Sequence, residues 1–356
     1  MVGLPGPRCR AIKRGVSLNF GTLRLADLGR VLPALYSDAF AAIEERPAGT
    51  VAAALSRNRM FAQAHYMNVI SIQSQVAYGH VGNSAAVFPM QVHGIDVIAV
   101  PTTLLSNRPG YKTLRGRVLG AQLVADLLQG IEERGAVDNA DMILSGYLGS
   151  PEIAAVVADF VARAKARNGA LRYACDPVLG DRDRGLFVQA DIPPLVRDRL
   201  CPLADIITPN HFEFEWLSGA RAATIDQVIT QARALKGPST VVVTSAELAD
   251  TPESEIESLA IEPSREIFSA WRLRTPKLPI SPNGTGDLFA ALFVSARIRG
   301  ADTKAALAHA ASAIFAVLER TASSGTEELR IVESAEMLVH PKRCFEAIAI
   351  KATEGG

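Results

Sequence analysis

Residues 283–300 read NGTGDLFAALFVSARIRG, with two glycines, a threonine and an aspartate set directly ahead of a strongly apolar run. Leu288 and Leu292, like Phe289 and Phe293, recur at helical spacing, and Gly300 closes the run. Glycines just before a helix leave backbone N–H groups free to face a ligand, and the helix dipole favours negative charge there. Gly284, Thr285 and Gly286 therefore read as an anion cradle. Asp287 is the odd member, because a carboxylate repels an anion unless its work is to accept a proton. Capping of its own helix is the other reading of this aspartate, and these few residues do not separate the two.

Outward from this stretch, short β-rich runs alternate with helical ones. NVISIQ (68–73), DVIAVP (96–101), ADMILSG (140–146), LRYACDP (171–177), ADIITPN (204–210) and STVVVTS (239–245) read as strands. GNSAAVFPMQVHG (82–94), PEIAAVVADFVARAKARNG (151–169) and the stretches near 211–218, 225–236, 287–299 and 303–320 read as helices. The alternation predicts an α/β fold with a mostly parallel sheet covered on both faces, plus an antiparallel pair over 256–275. One domain is expected over 67–345, followed by a tail at 346–356. Residues 1–66 stand apart: the first thirty carry six Arg or Lys against one acid, and alanine-rich sequence follows. A transit peptide and a native start at Met67 are both open readings of that extension.

Bulk composition narrows the classes. Of the 356 residues 48% are hydrophobic and 21% charged, which is globular, and the chain is long enough for a large core. A net charge of zero gives no electrostatic argument for a nucleic-acid or membrane-surface partner. Cys9, Cys175, Cys201 and Cys344 are scattered as reduced cytoplasmic thiols would be, and the six histidines show no zinc-like spacing. No apolar run approaches the roughly 20 residues that span a bilayer.

Ligands of open α/β sheets bind beyond the carboxyl ends of the strands. Following each predicted strand in turn come Ser74; the polar loop TTLLSNRPGYKT with Thr103 and Gly110; Tyr147; Asp176; Thr208, Asn210 and Glu213; and Thr244 with Ser245. All fall on the same edge as the GTGD loop. Asp176 before Pro177 also suits a simple turn, and Asn210 with Glu213 also suits a capping box. Together, two acids, several hydroxyls, an amide and a glycine cradle match the handling of a Mg–nucleotide. Neither a Walker A run nor a protein-kinase glycine loop is present.

The chain resembles the pyridoxal kinases of the ribokinase-like superfamily, from about Val69 to the final helices. The likeness is carried, in order, by SIQSQVAYGHVGNSAAVFPMQVHG, AVPTTLLSNRPGY, LSGYLGS, CDPVLGD, ADIITPNHFEFEWLSG, VVVTS and GTGDLFAAL. The resemblance implies that Asp287 is the base for the substrate 5′-hydroxyl, with Gly284, Thr285 and Gly286 as the anion hole for the γ-phosphoryl group. It implies Asp176 and Glu213 near Mg²⁺, supported by Thr208 and Asn210, with Thr244 and Ser245 on the nucleotide. It places Ser74 on the pyridine ring, and Val81, Thr103, Gly110 and Tyr147 around the vitamin. ATP, Mg²⁺, K⁺ as a further candidate ion, and a homodimer follow from the same likeness. Leu105, Pro109 and Gly110 depart from relatives that carry aromatic or polar residues there, and Phe187 stands where some have tyrosine, so vitamer ranking is left open. Hydroxymethylpyrimidine kinases share the fold but typically carry cysteine where Asp287 stands. A non-catalytic vitamin or nucleotide sensor is the remaining alternative.

Overall fold

Strand β1 (Asn68–Tyr78) is buried at nearly every position of its first half, as a strand covered on both faces must be. A computed structural model describes residues 66–263 and 268–350. Successive side chains of β1 enter different cores: Val69 joins one, while Ile70 and Ile72 join the other. The remaining strands are β2 (Asp96–Asn107), β3 (Gly116–Val118), β4 (Met142–Ser145), β5 (Arg172–Cys175), β6 (Gly180–Asp181), β7 (Gly185–Leu186), β8 (Ile206–Ile207), β9 (Thr240–Ala246), β10 (Glu255–Glu262), β11 (Ser269–Pro276) and β12 (Ile348–Ala349). Among the described residues, the helices of eight residues or more are α1 (Asn83–Val92), α2 (Ala121–Glu133), α3 (Pro151–Arg167), α4 (His211–Ser218), α5 (Ile225–Ala234), α6 (Thr285–Ile298) and α7 (Thr303–Ser324).

Among the described residues the strands form a ten-stranded sheet in the order β12-β11-β10-β9-β8-β5-β4-β1-β2-β3, with β6 and β7 paired separately. The run from β9 to β2 is parallel. Antiparallel strands close both edges. Helices α1, α6 and α7 cover the Val69 face, and α2 to α5 cover the face of Ile70. From β1 the chain first crosses to β2 on one side, then continues through β4 and β5 on the other. The order therefore reverses between β1 and β4, and a crevice opens beyond their carboxyl ends.

Helix α6 is buried at every residue from Leu288 to Ala296, wedged among the sheet, α1 and α7. Such all-round burial is why its sequence is apolar on every side. Each fully buried Leu or Phe there stabilises the fold by about 1.5–3 kcal/mol. A helix so held gives a rigid mount to whatever its first turn carries.

Several expectations shift. Ser74 lies within β1, Thr244 and Ser245 within β9, and Thr103, Ser106 and Asn107 within β2 rather than beyond the strands; β1 and β3 both pair along the extension of β2. Helix α2 was not expected, although its apolar residues recur at helical spacing. The antiparallel pair lies where the sequence placed it, as β10 and β11. The stretch 346–356, expected as a tail, contributes β12, which pairs with Trp271 and Arg272. The expected extension at 1–66 lies outside the described residues except for Tyr66.

Candidate active site

Gly284 sits at the start of α6 with φ of 85°, a left-handed conformation that suits glycine. Space forces the same choice, since a Cβ there would collide with the His80 carbonyl oxygen. No side chain caps the first turn of α6. Its leading N–H groups, those of Thr285, Gly286 and Asp287, therefore have no intrahelical acceptor. The Thr285 hydroxyl donates to the Pro282 carbonyl at 2.8 Å, which pins the turn. Around Gly286 a Cβ would meet nothing within 4 Å beyond its own turn of helix, so the missing side chain keeps the cradle open rather than relieving a clash.

Asp287 accepts a hydrogen bond from the Gly82 N–H, while burial holds its carboxyl above the usual carboxylate range. Gly82 begins α1 with φ of 55°, and a Cβ on it would strike Ser74. Ser74 itself is buried and lies where the pairing of β1 with β2 slips register. Irregularities of that type re-aim side chains beside functional sites. Asp287, Gly82 and Ser74 thus meet in one place. A buried ladder continues beneath them: Gln73 Nε2 donates to Ser71 Oγ (2.9 Å), which donates to Asn83 Oδ1 (2.7 Å).

At the end of β5, Asp176 is 5% exposed and accepts from Thr208 Oγ1 at 3.1 Å. Burial, then the charges of Glu213 and Asp287, push its carboxyl well up. The three acids therefore share one electrostatic neighbourhood. Glu213 is 4% exposed and already occupied: Oε1 accepts from Leu179 N (2.7 Å) and Gly180 N (3.3 Å), and Oε2 from Asn210 N (2.9 Å). Burial lifts its carboxyl to about 7 against the pull of those N–H groups. Asn210 completes the capping box and also donates to the Gly180 carbonyl at 2.7 Å. These two side chains cap α4 and fasten the loop beyond β5 in the same act. Of the acids expected near a metal, Asp176 thus keeps free lone pairs and Glu213 has roughly one of four left. Among the described residues no group of three or more His, Cys, Asp or Glu could hold a metal ion.

Thr244 N donates to the Pro209 carbonyl at 2.9 Å, and its bridge to Asn210 prolongs the pairing of β8 and β9 beyond their ends. Ser245 follows, exposed and with φ of 47°, an uncommon conformation for serine. On the other flank Thr102 Oγ1 donates to the Tyr147 carbonyl at 2.6 Å, joining β2 to the segment after β4. Thr103, next along, is 1% exposed and its hydroxyl has no partner among the described residues. Burial pushes the Tyr147 phenol up, and Val81 is half-buried beside Gly82. Phe187 is 45% exposed.

Gly110 stands apart from the other expected residues. It lines a cavity of about 680 Å³ with Tyr78, Tyr111, Glu328 and Arg330, and none of the other expected residues borders it. Sequence reading missed the groups that hold this region, Arg108, Tyr111 and Glu328. Glu328 carries no local signal, because its partners Arg108 and His80 lie 220 and 248 residues away in the chain.

The sequence profile of the family described as Phosphomethylpyrimidine kinase matches residues 90–331. Pyridoxal kinase PdxY of Leifsonia xyli is 45% identical over 281 residues, covering 78% of this chain and 98% of its own. The protein of the same name from Granulibacter bethesdensis is 44% identical over 289 residues, covering 79% and 99%. Pyridoxal kinase from Leishmania donovani, solved in complex with ADP and pyridoxamine, superposes with a TM-score of 0.74 at 29% identity, covering 80% of this chain and 99% of that one.

Proposed function

This chain belongs to the phosphomethylpyrimidine kinase family, among its pyridoxal kinases, and from that footing we propose that it transfers the γ-phosphoryl group of ATP to the 5′-hydroxyl of pyridoxal. The product is pyridoxal 5′-phosphate. Pyridoxine and pyridoxamine, which carry the same hydroxymethyl arm, are further acceptors. The reading is carried by the meeting of Asp287 with the uncapped first turn of α6, beside Gly82 and Ser74.

Phosphoryl transfer is mostly positioning and charge stabilisation. Asp287 takes the proton from the 5′-hydroxyl as that oxygen closes on the γ-phosphorus and the bond to the bridging oxygen of ADP breaks. A carboxyl raised by burial suits this work better than an ordinary aspartate, since its basicity lies nearer the working pH. Backbone N–H groups from Gly284 to Gly286 face the charge that develops on the equatorial oxygens and need no reorganisation. Mg²⁺, when bound, neutralises phosphate charge, and Asp176 is the side chain with an oxygen to offer it. Glu213 adds charge nearby and holds the loop, with Asn210 and Thr208 shaping the same end. Thr244 and Ser245 border the nucleotide. Ser74 bonds the pyridine ring, with Val81, Thr103 and Tyr147 lining the vitamin and Gly110 on the loop over it.

A panel of pyridoxal, pyridoxine, pyridoxamine and hydroxymethylpyrimidine with Mg–ATP, read by ADP release, tests the assignment. Turnover highest with a B6 vitamer is expected. Preference for hydroxymethylpyrimidine would move the chain to the thiamine branch, and tight vitamer binding with no ADP would make it a sensor.

Exposed Leu104, Leu114, Val118, Leu123 and Leu127 on and around β2, β3 and α2 support a homodimer through that face, to be read by light scattering. Among the described residues Cys175, Cys201 and Cys344 are free thiols, which supports a cytoplasmic setting, and no helix is long and apolar enough to cross a membrane.

A further inference from the structure

The segment 79–82, between β1 and α1, meets Gly284, Asp287 and Ser74 through its backbone. The His80 carbonyl lies against Gly284, the Gly82 N–H donates to Asp287, and the Gly82 Cα lies against Ser74. Glycines at 79 and 82, with φ of 94° and 55°, permit these approaches. What holds the turn is a side chain far away in sequence. Glu328 Oε2 accepts from His80 N at 3.1 Å, and its carboxylate fills the place a Cβ on Gly79 would take.

The other oxygen of Glu328 faces a different segment. Oε1 accepts from Arg108 Nε at 2.9 Å and from the Tyr111 hydroxyl at 2.6 Å. Arg108 is 7% exposed, its guanidinium lies 4.6 Å from the centre of the Tyr111 ring, and it also reaches Glu327 at 3.2 Å. Tyr78 packs edge-on against Tyr111 at 6.0 Å. Burial alone would raise the Glu328 carboxyl, yet the hydrogen bonds from Tyr111, Arg108 and His80 bring it below the usual range. One charged group is thus shared by the 108–111 loop, which carries Gly110, and the turn behind the cradle.

We infer that Glu328 is a positioning residue of the transfer reaction: its two carboxylate oxygens clasp the 108–111 loop to the 79–82 turn, fixing at once the loop over the vitamin and the backbone that supports Gly284 and Asp287. The inference rests on the kinase reading above. Two arms predict two kinetic signatures. Loss of the loop arm weakens vitamer binding, and loss of the turn arm misplaces the base and the cradle, slowing the chemical step. Nothing in the clasp touches the end where Asp176 and Thr244 lie, so ATP affinity is spared.

The test is steady-state ADP release by the full chain, with melting curves, for wild type, Glu328→Gln and Tyr111→Phe. Glutamine keeps the shape and an acceptor but removes the charge. For Glu328→Gln the pyridoxal KM is expected to rise about tenfold and kcat to fall about tenfold, with the ATP KM within about twofold. Tyr111→Phe, which removes one of the two bonds of the loop arm and leaves the turn arm whole, raises the pyridoxal KM about threefold with a smaller loss of kcat. Hydrogen exchange at the His80 amide should quicken in Glu328→Gln and not in Tyr111→Phe. Unchanged kinetics in Glu328→Gln would overturn the clasp, as would equal losses for pyridoxal and ATP alongside a lower melting temperature. Should Glu328→Gln fail to fold, an unchanged pyridoxal KM in Tyr111→Phe overturns it. Wild type inert toward every vitamer would instead sink the kinase reading itself.

Discussion

At the ends of β5, β8 and β9 the polar side chains are largely spent on one another: Glu213 accepts three N–H groups, Asn210 caps and anchors, and Thr208 bonds Asp176. At the start of α6 and along β2 the pattern reverses. There the first turn is uncapped, Gly286 faces open space, and Thr103 keeps a buried hydroxyl without a partner. Satisfied polar groups hold a shape, whereas unsatisfied ones are left for something that arrives. One region is scaffold for the site and the other is its working surface. Substitutions in the two should therefore fail in different ways.

The largest effect falls on Asp287. Asp287→Ala should lower turnover by about 10²–10⁴-fold while ATP binding, followed by calorimetry, survives. Its melting temperature should hold or rise, because a half-buried carboxylate with one N–H partner is removed. Since burial raises this carboxyl, and a base works only when deprotonated, the acidic limb of kcat against pH should sit above the range of an ordinary aspartate. A limb at the ordinary position would detach Asp287 from the proton transfer.

Gly284→Ala comes next, with an expected loss of about 10²-fold in kcat, since the new methyl must displace the His80 carbonyl or the cradle itself. Near-normal kcat there would show that the N–H groups of α6 do not face the phosphoryl group. On the scaffold side, Glu213→Ala should destabilise by about 3 kcal/mol in urea melts, because three amides lose their acceptor. A variant as stable as wild type would erase the contrast between the regions. Smallest is Thr103→Val: about a threefold change in vitamer KM, with melting unchanged or slightly raised, because an unpaired hydroxyl leaves the core. A fall in melting temperature instead would mean the hydroxyl is bonded within the protein.

Much of the scaffold is legible because its signals are local. The capping box joins Asn210 to Glu213, three positions on, and GTGD ahead of an apolar run marks a helix start. Other parts were read less well. Residues 102–107 look polar enough for a loop, but β1 on one side and β3 on the other pair with them and make them strand. Glu213 looked like a second metal ligand, and only its three N–H contacts reveal how little of it is left for an ion.

The sequence by itself determined the α/β alternation, the places of Asp176 and Thr208 just beyond their strands, and a helix opening close to Asp287. Each depends on periodicity or on groups a few residues apart, which chain geometry brings together whatever the rest of the fold does. Only the tertiary structure decided that Gly82 would stand behind Asp287, that Gly284 would rest on His80, and that Glu328 would bond an amide 248 residues away. Such contacts join segments whose separation in the chain says nothing of their distance in space, and they form only after the sheet and its two helical layers have closed.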